Sequence, residues 1–256
     1  MEKYTLNFGK FKQYDKKFIT EIDGSSVTSV AFCGETLYIA TTENTFEYSE
    51  GNLKKLSFKA EKLFSENGRL YASMGKILSE IKNGKSKKIA EFNSSVIDIS
   101  TGLDGSFWLI TEDTLYLKDG SEFKEIVDLP SEVVALAALD NKAKYAETVY
   151  VGSSVEGLLS MKGKRRHWAE LLPNVTGVSS QKINCIQIDA LGHLWVGSDE
   201  GLNIYDGKNY WFNGNDFYSV PDGSINDMFF ASDGKKYFAI PKIISTFVPI
   251  IQSGLV

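Results

Sequence analysis

The sequence predicts an all-β protein, and more narrowly a β-propeller of six four-stranded blades, from three observations. The composition favours strands and turns, with 16 Phe, 12 Tyr and 22 Gly beside only 5 Pro in 256 residues. A motif with one aromatic residue at a fixed place recurs about every 40 residues along the chain. Within each repeat the apolar residues alternate with a period of two and glycine breaks interrupt them, which excludes helical repeats of similar length.

The clearest repeat runs from Gly192 to Gly207 and is typical of two short strands joined by a tight turn. The window from Trp108 to Gly120 aligns without a gap with the window that starts at Trp195, and Trp, Leu, Asp and Gly coincide. The same frame places an aromatic anchor in six repeats, at successive spacings of 33, 37, 42, 45 and 42 residues. We expect these anchors to be structural, on second strands, where they fill the space between neighbouring blades. They are Tyr38, Tyr71, Trp108, Tyr150, Trp195 and Tyr237.

The blade boundaries follow from an alternating apolar run before each anchor and further runs after it, because four short strands per repeat are typical of a propeller blade. The predicted blades lie near residues 27–58, 61–93, 96–128, 132–172, 183–220 and 224–256 of a single domain, 1–256. Residues 3–22 resemble outer strands. We therefore expect N- and C-terminal strands to close the ring together, which removes exposed edges. The alternative is a seventh blade, started by the C-terminal residues and completed by the N-terminal ones.

The segment Leu194-Trp195-Val196-Gly197-Ser198, followed by Gly201-Leu202 and Tyr205-Asp206-Gly207, resembles the two-component-regulator propeller repeat. That repeat typically has leucine-tryptophan-valine-glycine-threonine, then glycine-leucine, then tyrosine-aspartate. The match is specific in the fifth blade, fair in the third and fourth, and loose elsewhere. The resemblance implies a ligand-binding, sensor-like propeller, since such propellers commonly form the extracytoplasmic sensing part of hybrid histidine kinases and recognise ligands such as glycans. We expect recognition, rather than coupling to a kinase, to carry over to this chain.

Charge and rare residues exclude several classes of function. The net charge is −5, from 33 acidic and 28 basic residues, which argues against nucleic-acid binding because such proteins present basic surfaces. With 2 His and two distant cysteines, Cys33 and Cys185, the sequence predicts free thiols and neither a metal site nor a cofactor. No apolar stretch reaches the ~18 residues of a membrane span. We find no signal peptide and expect a cytoplasmic protein, or an extracytoplasmic one if a signal peptide has been removed.

Candidate binding residues lie on the turns between second and third strands, which face the channel mouth of a propeller together with the loops into the innermost strands. Four of the six turns carry carboxylates. Two interpretations stay open: ordinary polar hairpin turns, or an acidic mouth that attracts a cation, a basic peptide or a polar sugar. The residues are Glu43, Glu112, Asp113, Glu156, Asp199 and Glu200.

Two further segments are candidates for contact with a partner. Tyr218 lies in a loop rich in aromatic residues, where an exposed ring stacks on a sugar or anchors a protein, and a buried ring seals adjacent blades. Lys164, Arg165 and Arg166 form a basic tip, which is either a solvated hairpin end or a docking patch for an acidic partner.

Catalysis is the weakest of the functional hypotheses. Asp98, Asn184 and Asp227 lie on or beside innermost strands, where some six-bladed propellers hold the metal ion of a hydrolase, but no motif spacing connects them. His167 and His193 fall in predicted turns, away from where a propeller would place a general base. We therefore predict a non-catalytic recognition module that holds another protein. A glycan- or metabolite-binding sensor is the alternative, and a metal-dependent hydrolase or lyase comes third.

Overall fold

Antiparallel sheets make up the regular structure of this chain. The computed structural model describes residues 25–139, 147–162, 168–171, 178–205, 211–213, 223–230, 236–240 and 243–247. Every regular element in these ranges is a β strand, which confirms the all-β prediction. Within these ranges the strands form five four-stranded sheets and one three-stranded sheet. The chain divides into two compact units, each of which contains three of these sheets.

In the first unit, consecutive strands of each sheet are hydrogen-bonded neighbours, so each sheet follows chain order. The first sheet contains β1 (Val27–Cys33), β2 (Thr36–Thr41), β3 (Thr45–Ser49) and β4 (Asn52–Lys55). The second contains β5 (Lys62–Glu66), β6 (Arg69–Met74), β7 (Ile77–Lys82) and β8 (Lys85–Glu91). The third contains β9 (Val96–Thr101), β10 (Phe107–Thr111), β11 (Thr114–Asp119) and β12 (Glu122–Asp128).

The second unit repeats this arrangement. Its first sheet contains β13 (Val133–Ala138), β14 (Glu147–Ser153), β15 (Gly157–Lys162) and β16 (Ala169–Leu171). The next contains β17 (Ile183–Ile188), β18 (Leu194–Ser198), β19 (Gly201–Tyr205) and β20 (Trp211–Asn213). The last contains β21 (Asp227–Phe230), β22 (Lys236–Ile240) and β23 (Ile243–Phe247). A succession of small antiparallel sheets, each built from one stretch of chain, is the architecture of propeller blades.

Three hairpins of the first unit are closed by two-residue turns in which both residues have positive φ. The pairs Glu50-Gly51, Asn67-Gly68 and Asn83-Gly84 have φ values between 50° and 83°. Such turns match the right-handed twist of the flanking strands, and Asn-Gly adopts them most readily. The glycine breaks in the sequence therefore fix strand pairing as well as marking where strands end.

The aromatic anchors lie on second strands and contribute to the cores between neighbouring sheets. In the first unit, Tyr71 clusters with Val96, Ile99 and Leu109 of the following sheet, and its ring meets that of Phe107 edge-on at 5.2 Å between centroids. Among the anchors whose side chains are described, Tyr38 is half-buried, and the buried ones are Tyr71, Trp108, Tyr150 and Trp195. The side chain of Tyr237 lies outside the described residues.

The predicted blade starts at residues 27, 61, 96, 132 and 183 agree with the first residues of β1, β5, β9, β13 and β17 to within one residue. The sixth predicted blade begins near residue 224, so Ile225 would fall in its first strand, whereas β21 begins at Asp227. The backbone N–H of Ile225 donates instead to the carbonyl of Ser198 at 2.9 Å, at the end of β18. Its fully buried side chain fills the core beside Trp195. The predicted ring closure rests on residues 3–22 and on the C-terminal tail, which lie outside the described residues in whole or in part.

Replacing Gly197 by alanine should destabilise the second unit by about 1–3 kcal/mol, the usual cost of overpacking a core. Gly197 pairs with Cys185, and an added Cβ would lie 2.5 Å from the Cys185 Sγ and 2.8 Å from the Cγ2 of Ile225. Urea denaturation followed by circular dichroism measures the loss. In the Cys185→Ala background the same substitution should cost less, because the sulfur is gone. An equal cost in both backgrounds would contradict this contact.

Candidate functional site

The turns between second and third strands share a buried hydroxyl at the last residue of the second strand. Four turns are closed in this way, and the four side chains are at most 1% exposed. The oxygen of each accepts an N–H from the turn, as Thr41 does from Asn44 at 3.0 Å and Ser153 from Glu156 at 2.9 Å. These bonds fix the backbone on which the turn residues are mounted. The residues are Thr41, Thr111, Ser153 and Ser198.

Thr111, Ser153 and Ser198 show that the residue before such a polar turn is buried and not exposed. Each is the last residue of a strand and is fully buried. The reason is that a hydroxyl can satisfy the backbone groups of a tight turn only by pointing inward, where it exchanges solvent for two or three protein partners.

In the first unit the predicted carboxylates differ in how they are held. Glu43 and Glu112 are exposed, and within the described residues neither carboxylate has a hydrogen-bond or ion-pair partner. Asp113 accepts the hydroxyls of Ser94 at 2.6 Å, Thr111 at 2.9 Å and Thr114 at 3.1 Å. These bonds, above all the one from Ser94, hold the pKa of Asp113 below its ordinary value. Asp113 thus stabilises the turn while Glu43 and Glu112 face solvent.

In the second unit two of the three predicted carboxylates are engaged. Glu156 accepts the backbone N–H of Ser131 at 2.6 Å. Asp199 forms an ion pair with Lys182 at 3.4 Å. Glu200 is exposed and, within the described part of this unit, its carboxylate has no such partner. Among the predicted carboxylates, Glu43, Glu112 and Glu200 are therefore the ones that are exposed and have no partner within the described residues.

A pocket of about 420 Å³ lies in the first unit, between the second and third sheets. It lies at the end of the strands opposite to the turn that carries Glu112 and Asp113. Sequence reasoning did not predict it. Glu66, the last residue of β5, accepts the backbone N–H of Thr101, the last residue of β9, at 2.9 Å. Burial raises the pKa of Glu66 to about 7, Asp98 contributes in the same direction, and the hydroxyl and N–H of Thr101 oppose the shift. The carboxyl is therefore partly protonated at neutral pH.

The rest of the pocket joins aromatic rings to cations. The rings of Tyr71 and Phe107 form one wall, and the Nζ of Lys118 lies 5.8 Å from the centroid of Phe107. Arg69 also lines the pocket, and its guanidinium lies 3.9 Å from Glu80, beyond hydrogen-bond distance. Two of the ten lining residues are aromatic and the others are glycine, polar or charged, so the pocket is a polar cleft with one aromatic side. The only local signal in the sequence was a carboxylate directly before the Asn-Gly turn.

Asp189 is a second residue that sequence reasoning missed, and its role is structural. It is 8% exposed and follows β17. Its Oδ1 accepts the N–H groups of Leu191 and His193, each at 2.9 Å. Its Oδ2 accepts the indole N–H of Trp195 at 3.0 Å and lies 3.2 Å from the Nδ1 of His193. Asp189 therefore locks both the turn and the anchor, and it holds His193 in that turn.

The three polar residues considered as metal ligands are each engaged locally. Asp98 accepts the N–H of Ile99 at 2.8 Å, and Asp227 accepts that of Met228 at the same distance. The amide of Asn184 donates to the hydroxyl of Ser224 and the carbonyl of Ile225, both at 3.1 Å. Across the described ranges, no cluster of three or more His, Cys, Asp or Glu side chains is positioned to hold a metal ion.

Several predicted site residues lie outside the described residues, so their roles stay predictions. They are Tyr218 and the basic residues Lys164, Arg165 and Arg166. Cys33 and Cys185 are described as thiols: the Sγ of Cys33 donates to the carbonyl of Gly68 at 3.4 Å, and that of Cys185 to the carbonyl of Ile225 at 3.8 Å. The described part of the chain contains no helix long and apolar enough to span a membrane.

Comparison by sequence finds no relative: no family model matches, and no curated protein matches. Comparison by structure does. The chain is similar to the extracellular domain of a protein described as a hybrid two-component system of B. thetaiotaomicron, at 13% identity and a TM-score of 0.63. The match covers 88% of this chain and 34% of that domain, so this chain spans about a third of its length. The extracellular location belongs to that domain, and a cytoplasmic location for this chain stays a prediction.

Two further similarities cover most of both partners. One is to a gluconolactonase of Xanthomonas campestris, at 15% identity and a TM-score of 0.63, covering 88% of this chain and 86% of the enzyme. The other is to YCF48 bound to D1 peptide, at 13% identity and a TM-score of 0.62, covering 86% and 78%. Identities this low carry the fold and not the activity. Together with the succession of four-stranded sheets, these similarities show that the chain has the β-propeller fold.

Proposed function

We propose that this chain is a non-catalytic recognition module whose acidic turns bind a basic segment of a protein partner. The observation that carries the proposal is that, on the same class of turn, one exposed carboxylate is held by hydrogen bonds while others have no partner among the described residues. Asp113 is tied down by three hydroxyls, whereas Glu43 and Glu112 project from hydroxyl-closed turns with no side-chain partner among the described residues. Because the turn backbone is held in place, the carboxylates of Glu43 and Glu112 are available to bind a cationic group of another molecule.

The physical advantage of such turns is preorganisation. The buried hydroxyls of Thr41 and Thr111 hold the turn backbone, so only the Glu side chains lose freedom on binding. Exposed carboxylates also attract a cationic segment from a distance and raise its association rate, an effect that weakens as salt is added. The similarity to YCF48, which is bound to a peptide, supports a role in protein recognition.

A small-ligand sensor is the second candidate, supported by the similarity to the extracellular domain of a two-component system. A hydrolase or lyase is the third, and the similarity to a gluconolactonase is what supports it. We rank the hydrolase or lyase last because no motif spacing in the sequence connects Asp98, Asn184 and Asp227. The proposal includes a ring of six blades, in which N-terminal strands complete the three-stranded last sheet.

The test is co-purification from native lysate with charge-reversed variants. The wild-type chain should recover a stoichiometric protein that elutes as salt rises. Reversing both Glu43→Lys and Glu112→Lys should reduce recovery at least tenfold, because two attractive charges become repulsive.

The matched control is Glu122→Lys, which reverses an exposed charge at the start of β12, at the opposite edge of the third sheet. This variant should recover the partner as well as the wild type does. Equal recovery by the double variant and the wild type would reject the acidic turns as the binding surface. Purification of the wild-type chain alone would reject the protein-scaffold role.

A further inference from the structure

We propose that the pocket between the second and third sheets of the first unit binds a small organic carboxylate with an aromatic ring and a hydroxyl at its far end. Arg69 and Lys118 would receive the carboxylate, Tyr71 and Phe107 would contact the ring, and Glu66 would bond the hydroxyl. This site is separate from the acidic turns, and the inference does not rest on the proposed protein partner.

The two cationic side chains that line the pocket are the reason to expect an anionic ligand. Arg69 presents a planar guanidinium whose paired N–H groups match a carboxylate. It lies 3.9 Å from Glu80 in a long ion pair and beside the Tyr71 hydroxyl, so an incoming carboxylate competes with these two neighbours. Lys118 supplies a second positive charge, located over the Phe107 ring. The described ion pairs of this unit do not include Lys118. Two cations, Arg69 and Lys118, line the pocket and favour a negative group in it.

Tyr71 and Phe107 suggest that the ligand has an aromatic ring, and Glu66 suggests that it has a hydroxyl. Tyr71 and Phe107 are locked edge-to-face at 5.2 Å. Because Tyr71 is 5% exposed, Phe107 is the more accessible of the two rings for contact with a ligand ring. Glu66 is positioned by the backbone N–H of Thr101 at 2.9 Å. Because burial raises its pKa to about 7, its carboxyl can either donate to or accept from a hydroxyl near neutral pH. The volume of about 420 Å³ lies within the range of small-molecule sites.

The test is a titration of the full chain with 4-hydroxybenzoate, followed by amide nitrogen–proton NMR spectra. The amides of Asn67, Gly105 and Gly120 line the pocket and should shift with saturation. Benzoate should bind more weakly, because it lacks the hydroxyl, and 4-hydroxybenzyl alcohol more weakly still, because it lacks the carboxylate. Inorganic phosphate should not reproduce the shifts.

Two variants separate the ends of the pocket. Arg69→Gln should weaken the binding of 4-hydroxybenzoate about tenfold or more, because the variant loses a charge-assisted hydrogen bond to the anion. The affinity for 4-hydroxybenzyl alcohol, which has no carboxylate, should not change. Glu66→Ala should remove the preference for 4-hydroxybenzoate over benzoate. The control Lys87→Gln removes an exposed cation from β8 and should bind like the wild type.

Three outcomes would overturn the inference. The first is an absence of shifts at Asn67, Gly105 and Gly120 when the probe concentration is about 10 mM, because a dissociation constant above that value would be too weak for a binding site. The second is equal binding of 4-hydroxybenzoate by Arg69→Gln and the wild type. The third is an equal response to phosphate, which would show a site for inorganic anions. None of these outcomes bears on capture of a protein by the acidic turns.

Discussion

Replacing Trp195 by alanine should lower the free energy of unfolding by about 3–5 kcal/mol, the usual cost of removing a buried aromatic side chain. Trp195 is 2% exposed. Its ring lies 5.3 Å from that of Phe230, edge-on, and 6.2 Å from that of Phe238. Its indole N–H donates to Asp189 at 3.0 Å, so truncation also leaves a buried carboxylate short of a donor.

Urea denaturation monitored by far-ultraviolet circular dichroism, which reports on the backbone, measures this loss. Trp195→Phe should cost less than Trp195→Ala, because a ring is kept and only the bond to Asp189 and part of the contact area are lost. Leu191→Ala is the control, since Leu191 is 76% exposed and its truncation removes little buried surface. A midpoint for Trp195→Ala equal to that of the wild type would show that this core contributes nothing.

Replacing Glu66 by glutamine should stabilise the protein at about pH 8 by about 2–3 kcal/mol and flatten its stability profile between acid and neutral pH. Burial raises the pKa of Glu66 from the ordinary 4.5 to about 7, so the folded state binds this proton more tightly than the unfolded state. Stability from this group is therefore greatest below pH 4.5, falls as pH rises, and is fully lost above pH 7. At about 1.36 kcal/mol per pH unit, and allowing for partial exposure, the difference reaches the stated size.

Chemical denaturation at half-unit intervals from about pH 4 to pH 8 would measure the two profiles. The wild type should lose stability relative to Glu66→Gln across this range, and the two should converge at the acid end. Glu122→Gln, which removes an exposed carboxylate from the same unit, should run parallel to the wild type. Parallel profiles for Glu66→Gln and the wild type would show that Glu66 titrates as an ordinary carboxyl.

The strands could be predicted from the sequence because their signals are local. Alternation with a period of two places Trp195 on one face and its neighbours on the other, and the Asn67-Gly68 turn fixes where one strand ends and the next begins. The same logic placed Glu43 and Glu112 on turns. It failed at Ile225, because the bond of its N–H to Ser198 crosses to another sheet.

What could not be predicted depends on residues far apart in the chain. Glu66 and Thr101 are 35 positions apart, and the sequence around either residue does not predict that they line the same pocket. Similarly, Ser94 reaches Asp113 across 19 positions, which separates this carboxylate from the solvent-facing Glu112 beside it. Turn chemistry alone would have treated the two alike.

The sequence by itself determined the repeat, the β class, the positions of the anchors and the turns that bear charge, since these follow from propensity and periodicity along short stretches of chain. Only the tertiary structure decided which carboxylates are hydrogen-bonded, which hydroxyls are buried, and where a pocket forms around a carboxyl whose pKa is raised. The physical reason is that desolvation and hydrogen-bond competition are set by atoms brought from neighbouring sheets, and a residue's own neighbours in sequence do not encode them.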